Sequence, residues 1–123
     1  MPFDTDARLL LPRLPHGTAN HAVLDYLINH ALGRANAKSW DAIEAHCTGL
    51  GIGVDKLDFQ QGFLANTRDG EVFIGSCAKG YFIIRDRDDA IAAADFYKVR
   101  IDRQQEHLDH LKDLVVRQGW PAI

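Results

Sequence analysis

The stretch Glu71–Arg85, EVFIGSCAKGYFIIR, decides how this 123-residue chain is read. Val72-Phe73-Ile74 and Tyr81-Phe82-Ile83-Ile84 are β-branched and aromatic runs, a composition that suits a pleated, half-buried surface. Between them lies a compact polar segment, Ser76-Cys77-Ala78-Lys79-Gly80, whose Gly80 is able to take the positive φ of a tight connection. The pattern predicts a β-hairpin with Val72–Ile74 and Tyr81–Ile84 as its paired strands. Most of the chain around it reads as helix.

Upstream, Thr18 is an N-cap for a helix that runs to about Leu32, with Gly33 just past its end. Val23, Leu24, Leu27, Ile28, Ala31 and Leu32 form its apolar stripe at helical spacing. Ser39 caps a second helix, in which Trp40, Ile43, Cys47 and Leu50 recur at steps of three and four. Gly49, Gly51 and Gly53 interrupt that pattern and mark a turn. A third helix is predicted over Asp55–Arg68. Leu57, Phe59, Phe63 and Leu64 supply its buried side, and Lys56, Gln60, Gln61, Asn66 and Arg68 face outward. Gly62 costs this helix about 1 kcal/mol relative to Ala, so it marks either a close approach or an imperfect helix. Residues 1–17 hold Pro2, Pro12 and Pro15 and read as an extended arm, whose Leu9, Leu10, Leu11 and Leu14 dock on the core or on a second subunit.

Downstream, Asp86, Asp88 and Asp89 cluster at the positive end of a long helix that Gly119 and Pro121 bring to a close. Residues 88–118 carry a heptad seam of Ala94, Tyr97, Ile101, Gln104, Leu108, Leu111 and Val115. A single polar residue in an apolar seam is a common way to set coiled-coil register, and Gln104 has that place. At 1.5 Å per residue the helix is about 45 Å long, more than one small domain covers. A homodimer through this seam is therefore expected. The chain divides into an N-terminal arm (1–17), a domain (18–87) and a dimerisation helix (88–118).

Charge and motifs narrow the function. The net charge is −3, with 8 basic and 9 acidic side chains in residues 1–85 and 6 and 8 in residues 86–123. Strong non-specific nucleic-acid binding scales with the number of phosphates neutralised, and this balance argues against it. A directed footprint is compatible with it. The three glycines do not match GxGxxG and no Lys-Ser/Thr follows them, so no nucleotide site is expected. His107 and His110 have metal-compatible spacing, but a zinc site needs three or four ligands, and a solvated helix face accounts for them. Cys47 lies on an apolar stripe, Cys77 in the hairpin connection, and Ser76 lacks a GxSxG context. No catalysis, metal or cofactor is expected. No basic n-region or long apolar run suggests a secretion signal or membrane span, so a cytoplasmic protein with two reduced thiols is anticipated.

The constellation left is the third helix and the hairpin. Gln60, Gln61 and Asn66 carry amides of the kind that pair with adenine in the major groove, while Lys56 and Arg68 suit guanine or phosphate. Lys79 stands at the hairpin tip. The order helix, helix, glycine turn, helix, hairpin, long helix resembles winged helix-turn-helix proteins. The phrase Ile74-Gly75-Ser76-Cys77-Ala78-Lys79-Gly80-Tyr81-Phe82 resembles the wing of small phage and prophage proteins of that type. The resemblance implies an α+β, mainly α fold of three helices plus a hairpin wing, with a long C-terminal helix. It further implies sequence-specific binding of double-stranded DNA, in regulation of transcription or replication, with the third helix as the recognition helix. The competing expectation is a winged-helix protein-interaction module, or the DNA-recognition subunit of a larger assembly.

Overall fold

Four helices begin where a short side-chain oxygen takes up a free backbone N–H. Thr18 accepts from the His21 amide at 3.4 Å, Ser39 from Ala42 at 3.2 Å, Asp55 from Asp58 at 3.0 Å, and Asp86 from Asp89 at 2.9 Å. The computed structural model describes residues 3–64 and 74–123. These caps open α2 (Ala19–His30), α3 (Trp40–Gly49), α4 (Lys56–Asp58, continuing into a π-helical turn over Phe59–Phe63) and α5 (Arg87–Arg117). Ahead of them lies α1 (Phe3–Leu10), followed by a 3-10 turn over Leu11–Arg13. Strands β1 (Ile74–Cys77) and β2 (Gly80–Ile83) form a two-stranded antiparallel sheet between α4 and α5. The protein is mainly helical, with one small sheet and a long C-terminal helix.

The N-terminal arm is helical, not extended. Pro12 sits at the start of the 3-10 turn, where no backbone N–H is required. Ala7 is fully buried and Leu10, Leu11 and Leu14 pack on the core, whereas Leu9 is exposed. The third helix also departs from expectation. Its α-helical turn gives way to π geometry at Phe59, and nothing lies within 4 Å of a Cβ built on Gly62. Gly62 thus belongs to an irregular helix rather than to a close approach.

The first strand continues past its apolar run, through Ser76 and Cys77. Ile74 pairs with Ile83, Gly75 with Phe82, Ser76 with Tyr81 and Cys77 with Gly80, so only Ala78 and Lys79 form the turn. Ser76 and Cys77 are strand residues and not connection; Val72 and Phe73 lie outside the described residues. Two glycines make this register possible. A Cβ on Gly75 would come within 2.6 Å of the Phe82 ring, and one on Gly80 would strike the Lys38 carbonyl. Gly80 is therefore demanded by close backbone approach as well as by its φ of 134°.

That approach gives β2 a second neighbour. Lys38 and Tyr81 exchange backbone hydrogen bonds at 2.9 and 2.8 Å, the Gly33 amide donates to the Ile83 carbonyl at 2.9 Å, and the Ile83 amide donates to the Ala31 carbonyl at 2.8 Å. The segment from Ala31 to Lys38 thus bridges to β2 near both of its ends, around a 3-10 turn over Arg34–Asn36.

The chain forms two units, Met1–Ala93 and Ala94–Ile123. In the first, side chains alternate across the sheet. Ile74, Tyr81 and Ile83 join the α2–α3–α4 core around Leu24, Leu27 and Ile43, and Phe82 turns the other way to meet Ile84, Ala90 and Ala93. Trp40, Phe59 and Tyr81 stack in sequence, with centroids 5.3 and 5.0 Å apart. The second unit is the rest of α5 and its C-terminal tail, which turns back at Gly119 so that the Trp120 amide donates to Val115.

Candidate nucleic-acid interface

α4 and the hairpin turn supply the exposed polar groups. Asp55 caps α4, whose Lys56 is exposed, and Gln61 is exposed in the π-helical turn that follows. Lys79 is exposed in the two-residue turn. Gln60 is also exposed, but its side-chain Nε2 donates to the Tyr81 hydroxyl at 2.9 Å, tying α4 to β2. Its amide is held by the fold, whereas Gln61 is exposed beside it. Asn66 and Arg68 lie outside the described residues.

A buried carboxylate organises the opposite side of the sheet. Asp89, 2% exposed, accepts from the Arg34 amide through Oδ1 at 3.1 Å and from the Arg85 amide through Oδ2 at 3.0 Å. This pins the 3-10 turn Arg34–Asn36 against the first turn of α5. The Arg34 guanidinium then donates through Nη1 to the Asp88 carbonyl at 3.0 Å. Sequence reasoning missed Arg34 because it stands alone in a short turn with no periodic pattern around it. Together Arg34, Ala35, Cys77, Ala78 and Lys79 line a cleft of about 330 Å³.

The two cysteines differ in their setting. Cys47 is fully buried in the core, and burial pushes its thiol pKa up, away from the reactive thiolate. Cys77 is half-buried at the edge of the cleft. Among the described residues no three His, Cys, Asp or Glu side chains converge as a metal site, and His107 and His110 are exposed on α5.

On α5 the seam residues differ in environment. Ile101 (63% exposed), Leu108 (43%) and Leu111 (51%) are open, Gln104 is exposed and Tyr97 is half-buried. Val115 is buried, unlike the other leucine and isoleucine positions of the seam. Comparison with protein-family models, characterised proteins and solved structures finds no match to this chain. Among the described residues no helix is long and apolar enough to cross a membrane.

Proposed function

We propose that the first unit is a winged helix-turn-helix module that binds double-stranded DNA. The observation that carries this reading is the bonding of β2 on both edges, by β1 on one side and by the Ala31–Lys38 segment on the other. A hairpin locked in this way to the α2–α3 connection is a rigid wing beside α4. In this reading α3 and α4 are the helix-turn-helix pair, α4 enters the major groove with Lys56 and Gln61 outward, and Lys79 leads the wing. Gln60 positions α4 through Tyr81. The protein acts as a regulator of transcription or replication, and the open apolar seam of α5 joins two copies. A dimer of this kind favours a pseudo-palindromic target.

A second reading draws on a different observation. Leu50 and Leu57 are 57% and 56% exposed around the α3–α4 turn, and Asp55 and Asp58 flank Lys56. An acidic, partly apolar surface of that kind suits a protein partner better than phosphate. Fluorescence anisotropy with a labelled duplex at two salt concentrations separates the two. DNA binding requires affinity to fall with salt at a log–log slope of about −0.9 for each phosphate contacted. Binding without such a slope, or none, leaves the interaction-module reading.

A further inference from the structure

We propose that the cleft between Arg34 and Lys79 holds a phosphate group of the nucleic-acid backbone, on the face of the hairpin opposite α4. This rests on the DNA-binding reading of the first unit. The cleft is bounded by two cationic side chains, two alanines and Cys77, and none of the five is acidic. Among the described residues the ion pairs are Arg85–Asp86 and Arg117–Asp113, so no described carboxylate pairs with the Arg34 or Lys79 side-chain charge. The nearby Asp89 carboxylate is turned inward onto the Arg34 and Arg85 backbone amides.

Arg34 is held ready for this task. Its own backbone N–H is fixed by Asp89 and its Nη1 by the Asp88 carbonyl, which leaves the remaining guanidinium N–H groups for a ligand. A planar, permanently charged fork is well matched to phosphate oxygens, and pre-ordering it removes part of the entropy lost on binding. At about 330 Å³ the open cleft has room for a phosphate group.

Strand alternation sets the location. Cys77 shares a sheet face with Phe82, whereas Tyr81 shares the other with the α4 contact. Cationic groups therefore stand on both sides of the hairpin: Lys56 on the α4 side, Arg34 on the other, and Lys79 at the tip. A hairpin tip inserted into a minor groove about 6 Å wide has a phosphate backbone on each side. The Arg34–Lys79 cleft takes one of those two strands.

The test uses the intact chain and a labelled duplex over a salt series. Arg34→Gln should reduce the magnitude of the salt slope by about 0.9, and Arg34→Lys should retain it, since the charge stays while the fork is lost. Circular dichroism confirms that both variants fold. A wild-type slope that Arg34→Gln leaves unchanged overturns the cleft and spares the DNA reading. If the wild type shows no salt-dependent duplex binding, the DNA reading fails and the nucleic-acid source fails with it. A titration with inorganic phosphate, followed by amide NMR, then judges the cleft alone. Saturable shifts at Arg34 and Lys79 that Arg34→Gln abolishes establish a site for a free phosphate group, and their absence overturns the inference outright.

Discussion

The side-chain amide of Gln60 donates a 2.9 Å hydrogen bond to the hydroxyl of Tyr81, joining α4 to β2. Tyr81 is 8% exposed, with its ring edge-on to Phe59, so this bond continues the aromatic stack at its polar end. The two adjacent glutamines therefore differ, Gln60 held to β2 and Gln61 exposed. Gln60→Ala should lower stability by about 1 kcal/mol in urea unfolding, and Tyr81→Phe by a similar amount. A double-mutant cycle should show the two losses coupled. On the DNA-binding proposal, Gln61→Ala should leave stability unchanged and instead relax base preference by about 1–3 kcal/mol, measured as the affinity gap between preferred and substituted duplexes. Equal effects of the two substitutions on base preference would count against the assignment.

Asp89 should be among the most sensitive polar positions of the first unit. It is buried and satisfies the backbone amides of both Arg34 and Arg85. Asp89→Ala leaves those donors without their carboxylate and should cost about 3 kcal/mol or more by chemical denaturation. Asp89→Asn keeps one acceptor and should cost less.

Leu108 and Leu111 are open on α5, and the dimer proposal gives them a partner in a second copy. Sedimentation equilibrium should find the wild type dimeric at micromolar concentration and Leu108→Asp/Leu111→Asp monomeric. Circular dichroism of the double variant should still report a folded first unit, because neither residue belongs to it. A wild type that sediments as a monomer sinks the seam.

The two thiols should titrate apart. Burial raises the Cys47 pKa above the ordinary thiol value, and only the thiolate attacks a disulfide reagent. One thiol, Cys77, should react with Ellman's reagent in the native protein and two in urea. The linkage has a definite sign: above the unfolded thiol pKa the unfolded chain releases a proton that the folded chain keeps. Stability should fall as pH rises through that value, and Cys47→Ala should remove this increment of alkaline sensitivity.

What could be learned from the residues alone depended on neighbours close in sequence. Thr18 and Ser39 cap helices through amides three residues away, and the stripe that includes Leu24, Leu27 and Ile28 follows from helical period alone. The long helix and the existence of a hairpin follow from the same local rules. Folding in three dimensions settled the rest, because the deciding contacts join distant segments. Arg34 meets Asp89 across 55 positions and Gln60 meets Tyr81 across 21. The hairpin register was set by Gly75 making room for Phe82 and Gly80 for the Lys38 carbonyl, steric facts with no trace in a pattern of apolar residues. The N-terminal arm became a helix because Pro12 falls at the start of the 3-10 turn, where a missing N–H costs nothing, and because the core gave Ala7 a place to be buried.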